Sequence, residues 1–173
     1  VGATVHPEPG KQIDKATVVV RDGRIVAVGA DVQPPPGARV WDATGLHIYP
    51  GLIEPYLEVD APQPDPAQPG VHWNAMVTPQ RRALDGKGVD EATARQLRGM
   101  GFVAAGIAPR GGIFRGQAAA VSLAKAPDDP TAPRPPVYSE RVYHSVAFEL
   151  ARGGGDAQRW GGYPGSEMGA IAL

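Results

Sequence analysis

The chain has 173 residues, enough for one domain or for a small domain and part of another. Its 17 basic and 18 acidic residues leave a net charge of −1, a balance that predicts neither a nucleic-acid surface nor a polybasic membrane surface. The absence of cysteine excludes disulfides, cysteine-ligated metals and thiol nucleophiles, and no apolar run approaches the ~20 residues that span a bilayer.

The N-terminal part of the chain is predicted to be β-structure. The segment ATVVVRDGRIVAVG predicts a hairpin whose strands, 16–21 and 24–29, flank a tight turn at Asp22 and Gly23. Both faces of the second strand are largely apolar. We therefore expect the hairpin to be covered on both sides or to lie at a sheet junction.

Prolines mark the connections that follow. The loop VQPPPGARV leads into a short predicted strand over 39–43, and LHIYPGLIE is predicted to be extended. Pro50 cannot donate a ladder hydrogen bond, so we expect it at an edge, a bulge or a strand start. The stretches 61–70 and 126–136 are rich in proline and are predicted to be extended connectors.

One helix is well marked in the middle of the chain. Asp90 is a typical N-cap, Leu97 and Met100 share one face, and Gly99 or Gly101 can end the helix. The following FVAAGIAP is predicted to be a buried strand. A helix followed by a buried strand is half of a βαβ unit.

Two segments of the C-terminal third each fit two kinds of element. AAAVSLA predicts a strand or a short helix, and 142–150 fits either a helix or a strand that tolerates His144 inside. YPGSEMGAIAL predicts a helix capped by Ser166. Because this apolar run reaches Leu173 without a C-cap, we expect the chain to be the N-terminal piece of a longer protein.

Two segments carry a family resemblance, GATVHPEPGKQIDKATVVVRDGRIVAVGADV and ARVWDATGLHIYPGLIEPYLEVD. They resemble the start of amidohydrolase-superfamily proteins, in particular the imidazolonepropionase-like members, in which the same strand motifs recur in order. The resemblance implies an α/β fold. Residues 1–49 would form part of a composite β-sandwich, and 50–173 would begin a metal-dependent (β/α)8 barrel that is truncated here.

The segment PGLIEPYLEVD occupies the place of the family's metal motif, P-G-L-I-D-x-H-x-H. Glu54 stands at the Asp position, Tyr56 at the first His and Glu58 at the second. Strand alternation puts these residues and Asp60 on one face. The resemblance implies zinc in the family, whereas here we expect a strand without the metal and no cofactor. A hard-cation site at Glu58 and Asp60 remains the weaker alternative.

The remaining histidines form neither H-x-H nor H-E-x-x-H: His6, His47, His72 and His144. We expect His6 and His47 to be surface or sheet residues. His72, beside Trp73, is expected to pack within a loop, although it could also approach the face of Glu58.

The glycine-rich RGGIFRGQ contains Arg110 and Arg115 and allows two interpretations. Its backbone amides could bind an anion. The simpler expectation is a tight βα-type loop.

The resemblance implies a hydrolase of carbon–nitrogen bonds other than peptide bonds by ancestry. We expect this chain to be inactive, because His-x-His is replaced and the family's later ligands would lie beyond Leu173; no catalytic residue is identified. The alternative is a non-enzymatic domain that supports an active amidohydrolase half of the same polypeptide. A finer resemblance of GVHWNAMVTPQRRA and GGIFRGQAAAVSL to large bacterial amidohydrolase-related proteins agrees with it. The expected partners are the rest of that polypeptide or a second copy of the chain.

Overall fold

A computed structural model describes residues 1–125, 136–148 and 164–172. The chain divides into two compact units, Val1–Gly51 and Leu52–Leu173. The strands of the first unit are β1 (Ala3–Val5), β2 (Ile13–Arg21), β3 (Arg24–Gly29) and β4 (His47–Ile48). The elements of the second unit are β5 (Leu52–Val59), a 3-10 turn (Ala83–Asp85), α1 (Glu91–Gly99), β6 (Phe102–Pro109), β7 (Phe114–Gln117), β8 (Ala119–Ser122), β9 (Val137–Ser139), β10 (His144–Val146) and α2 (Glu167–Ile171).

The first unit is one sheet in the order β3-β2-β1-β4. The predicted hairpin is confirmed: β2 and β3 pair antiparallel, and both turn residues have positive φ, 51° at Asp22 and 72° at Gly23. This conformation matches the right-handed twist of the flanking strands. β1 then pairs antiparallel with β2 and parallel with β4.

Two expectations for the first unit are wrong. The hairpin is not covered on both sides, since Val20, Ile25 and Val26 are all more than half exposed. The buried core of this unit lies at the other end of β2, around Ala3, Val5 and Ala16.

The predicted strand over 39–43 is also absent. Its backbone makes only a short irregular pairing with Val1, whose N-terminus donates to Trp41 O at 2.7 Å and whose carbonyl accepts from Ala43 N at 2.8 Å.

The second unit begins with a βαβ arrangement. β5 and β6 are parallel neighbours, and α1 lies between them in the chain. As predicted, the Asp90 carboxylate caps α1 by accepting from Thr93 N at 2.9 Å, and Gly101 follows the helix with φ 93°. Leu97 packs into the core as expected, whereas Met100 is exposed.

The sheet continues in the order β5-β6-β8-β9, with β8 antiparallel to β6. AAAVSLA is therefore a strand. The described part of this sheet is mixed: β5 and β6 form its one parallel pair, and the other two pairs are antiparallel. A (β/α)8 barrel contains only parallel strands, so the expected start of a barrel is not confirmed. FVAAGIAP is buried as predicted, and Ile107 and Ala105 contribute to the core.

A small second sheet pairs β7 with β10. The ambiguous segment is thus a strand at 144–146, but with the opposite orientation: Ser145 is buried, whereas His144 and Val146 are exposed. Ser166 caps α2 as predicted, accepting from Gly169 N at 3.2 Å.

The connector 61–70 contains no strand or helix. Most of the other connector, 126–135, and the end of the ambiguous segment, 149–150, lie outside the described residues. Among the described helices, none combines the length and apolarity required to cross a membrane.

Candidate functional site

Tyr56 and Glu58 lie side by side on one face of β5, as the alternation predicts. The Tyr56 hydroxyl donates to Glu58 Oε1 at 3.1 Å, while Leu57 and Val59 pack against the core. Ile53, which alternation places on the face opposite to Glu54, is 67% exposed. Pairing with β6 shifts register on both sides of Glu54, where the following proline supplies no backbone donor.

A buried arginine holds this pair. Arg115 lies on β7, and its side chain is 4% exposed. Its Nη1 donates to Glu58 Oε1 at 2.5 Å and also to the Tyr56 hydroxyl, while Nε donates to Gly112 O at 3.1 Å. A guanidinium therefore bonds to both Tyr56 and Glu58.

Glycines allow this approach of β7. Gly116 has φ 109°, and a Cβ there would lie 2.3 Å from Arg81 O; at Gly112, with φ 96°, it would lie 2.9 Å from Met76 O. Neither position has room for a side chain. The expected βα-type loop is wrong, because RGGIFRGQ leads into a strand, and the anion that Arg115 binds is Glu58 of its own chain.

A second arginine, Arg110, contacts Glu58 and Asp60 at the exposed side of the cluster. Arg110 Nε lies 3.7 Å from Glu58 Oε2, and its Nη1 lies 3.5 Å from Asp60 Oδ1. The Arg110 side chain is 60% exposed. Glu58 is thus shared by a buried and an exposed guanidinium. Within 1–125, 136–148 and 164–172, no group of three histidine or acidic side chains is placed to hold a metal.

A second buried arginine, Arg81, connects the loops that follow β5 and β6. It donates to Ala61 O at 2.9 Å and Pro62 O at 3.2 Å on one side, and to Arg110 O at 3.0 Å and Gly111 O at 3.3 Å on the other. Burial, together with the charge of nearby Arg115, lowers the pKa of the Arg81 guanidinium. This fork fixes the carboxyl ends of the two parallel strands.

Two further residues were missed at the sequence level. The Tyr143 hydroxyl donates to Pro55 O at 3.1 Å, and Ser145 Oγ lies 3.4 Å from the Tyr56 hydroxyl. Burial, and then the neighbouring Tyr56 and Glu54, raise the pKa of Tyr143. Neither residue belongs to a motif, and β10 reaches the cluster only through its pairing with β7.

The histidines make contacts of their own. His72 Nδ1 accepts from Asn74 N at 3.1 Å, and its ring lies 5.4 Å from that of Trp73; these local contacts agree with loop packing. His144 is exposed on β10. His6 and His47 belong to the first unit, where they are hydrogen-bonded to each other.

Comparison with known proteins gives short but significant similarities. No protein-family model matches the chain. It is 44% identical over 50 residues to a dihydropyrimidinase 2 of Caenorhabditis elegans and 38% identical over 50 residues to a D-hydantoinase of Geobacillus stearothermophilus. Each match covers 29% of this chain and 10% of the relative, so only a small part of either relative is represented.

One solved structure resembles almost the whole chain. The crystal structure of an amidohydrolase from Thermotoga maritima MSB8 matches with a TM-score of 0.66 and 22% identity. The match covers 99% of this chain and 44% of that protein. At this identity the likeness shows a shared fold, and the chain spans less than half of the solved protein.

Proposed function

We propose that the chain is a member of the amidohydrolase superfamily, as its similarity to a dihydropyrimidinase, a D-hydantoinase and an amidohydrolase structure supports, and that residues 1–173 do not themselves carry hydrolysis of a carbon–nitrogen bond. The observation that supports this is the Arg115 guanidinium, which bonds to both Tyr56 and Glu58. In the family motif, these two positions supply imidazoles to a divalent metal. Here a cation of the chain itself neutralises the Glu58 carboxylate.

The donor set does not fit zinc. A phenol with a pKa of about 10 is a weak ligand near neutral pH, and the Tyr56 hydroxyl and Glu58 carboxylate already bind a guanidinium. The hard-cation alternative at Glu58 and Asp60 meets the same obstacle, because Arg110 contacts both carboxylates. An incoming ion would have to displace two guanidinium contacts and would experience their repulsion.

The test uses the full-length polypeptide loaded with zinc and freed of excess metal. Bound zinc and hydrolysis of hydantoin are measured for the wild type and for Glu58→Gln. We expect Glu58→Gln to change neither the zinc content nor the rate, whatever other parts of the polypeptide contribute. Loss of one zinc equivalent from Glu58→Gln, in protein whose circular dichroism shows that it remains folded, would place a metal at β5 and overturn the proposal. Asp65→Asn, in the connector 61–70, controls for the loss of one surface carboxylate.

The second candidate function is a structural domain that supports an active half of a longer polypeptide. Its support is the exposed edge strand β5, where Leu52 is 52% and Ile53 67% exposed. Such an edge offers backbone donors and apolar surface to another segment or copy. Ile53→Lys in the full-length protein should lower its melting temperature, whereas Met168→Lys, at a residue that is 73% exposed on α2, should not. Equal melting temperatures for both variants would contradict a covered edge.

A further inference from the structure

The first unit places two histidines side by side on the outer face of its sheet. β1 and β4 run parallel, with Thr4 opposite His47 and Val5 opposite Ile48. Strand alternation turns Val5 toward the buried cluster and Thr4 and His6 to the opposite face. His47 lies on that same outer face, diagonal to His6.

The two rings are already in contact. His6 Nε2 and His47 Nδ1 are 2.9 Å apart, and the ring planes are inclined by only 20°. Tyr49 stacks on His6 at a centroid distance of 4.4 Å and an angle of 4°. Backbone bonds from Thr4 N to Leu46 O and from His6 N to Ile48 O, both 2.9 Å, hold the strands in this register.

From this geometry we propose that His6 and His47 form a two-histidine site for a divalent transition metal. Two nitrogens that each lie about 2.0–2.1 Å from one ion are about 2.9 Å apart if they subtend about 90°, and about 3.3 Å apart at the tetrahedral angle. The 2.9 Å between His6 Nε2 and His47 Nδ1 is close to both values, so the strand register already places both nitrogens within reach of one ion. Imidazole suits copper, nickel and zinc, and nitrogen sites generally bind Cu²⁺ most tightly.

Binding needs a tautomer change and no net loss of a proton from the neutral pair. In the free site, one of the facing nitrogens carries the proton and donates it to the other. In the bound site, that proton moves to the far nitrogen of the same ring, and His6 Nε2 and His47 Nδ1 both offer lone pairs to the ion. Water completes the coordination on the exposed side. Tyr49 acts as a positioning residue, because its stacked ring limits rotation of His6.

The site is independent of the proposed function, because all its residues lie in the first unit. It also has a structural consequence. An ion held by both histidines joins β1 to β4, which share a short ladder of two residue pairs. Any ligand that binds only the folded state raises its stability.

The test is calorimetric titration of the untagged full-length protein with CuCl2, NiCl2 and ZnCl2 near pH 7.5. We expect a binding step that is tightest for Cu²⁺, weaker for Ni²⁺ and weakest for Zn²⁺. His6→Ala and His47→Ala should each abolish this step, and Tyr49→Ala should weaken it about tenfold, as loss of a ligand-orienting neighbour does. His144→Ala, which removes an exposed strand histidine of the second unit, is the matched control and should bind as the wild type does.

A second measurement locates the bound ion in the wild-type protein and so does not depend on the folding of the variants. Substoichiometric Cu²⁺ should broaden the NMR signals of residues around His6 and His47 in the wild type. Broadening elsewhere, unchanged titration of His47→Ala, or tighter binding of Zn²⁺ than of Cu²⁺ would each overturn the proposal.

Discussion

The molecule holds the ends of its strands together in two different ways. At the carboxyl end of β5, the contacts are made by two buried arginines: Arg115 binds Glu58 and Tyr56, and Arg81 binds the loop carbonyls. At the end of β1, two backbone hydrogen bonds and the stacked rings of His6 and Tyr49 make the contacts with the segment of β4.

The difference shows where substitution is costly. The buried Arg115 guanidinium depends on Glu58, because without that carboxylate it would be a charge without compensation in a poorly solvated place. Exposed rings lose little when separated, since water solvates them. Substitution should therefore cost more at the contacts of Arg115 than at the rings of His6 and Tyr49.

The largest expected effect comes from removing the buried cation. Arg115→Met removes hydrogen bonds to Glu58, to the Tyr56 hydroxyl and to Gly112 O and should lower the free energy of unfolding by about 3 kcal/mol, at about 1 kcal/mol for each bond. Urea denaturation followed by circular dichroism measures this change. Arg110→Met removes the exposed partner of the same carboxylate and should cost less than about 1 kcal/mol. Equal costs for the two variants would show that burial does not distinguish them.

The fork of Arg81 ranks next. Arg81→Lys keeps the charge but cannot reach carbonyls on both loops, so about 2 kcal/mol of stability should be lost. The same denaturation experiment applies. Arg82→Lys, next in the chain and bound to Glu140 on the surface, should stay within about 0.5 kcal/mol of the wild type. A neutral Arg81→Lys substitution would mean that the two loops hold their positions without it.

A smaller effect is expected at the phenol. Tyr56→Phe removes the hydroxyl bonded to Glu58 and Arg115 and should cost about 1 kcal/mol, the typical value of one net hydrogen bond. Tyr138→Phe, at a residue 60% exposed on β9, is the control. If Tyr56→Phe matched Tyr138→Phe, the hydroxyl would contribute nothing to the cluster.

The smallest effect is expected where Tyr49 stacks on His6. Tyr49→Ala removes the ring stacked on His6 and should cost about 0.5 kcal/mol, at the lower end for aromatic contacts. Amide exchange at His6, whose N–H donates to Ile48 O, should accelerate about twofold. Exchange within β6 serves as an internal reference and should not change. A large acceleration at His6 would show that the rings, and not the backbone, hold β4.

Local patterns predicted the elements that depend on neighbours in sequence. The Asp22-Gly23 turn, the Asp90 cap and the alternation of Tyr56 and Glu58 all follow from backbone geometry within a few residues. The partner of Glu58 could not be found this way. Arg115 is 57 residues away and reaches Glu58 through tertiary packing.

Burial was harder still to predict. Apolar composition favoured a covered hairpin, but Ile25 and Val26 are exposed, because a strand's composition does not specify what lies over it. The strand interpretation of 142–150 required His144 inside, whereas pairing with β7 turns Ser145 inward. The finer likeness to imidazolonepropionases and the inactivity of the site remain predictions.

Arg115 belongs to the chain, so the cation that binds Glu58 and Tyr56 cannot be lost to the solution. A metal ion exchanges with the solution, so a site built on one depends on supply and yields to chelators. The guanidinium of Arg115 cannot dissociate from its chain, and its local concentration is set by the fold alone. The tie between β5 and β7 should therefore survive dialysis against a chelator unchanged, and it can be lost only by unfolding.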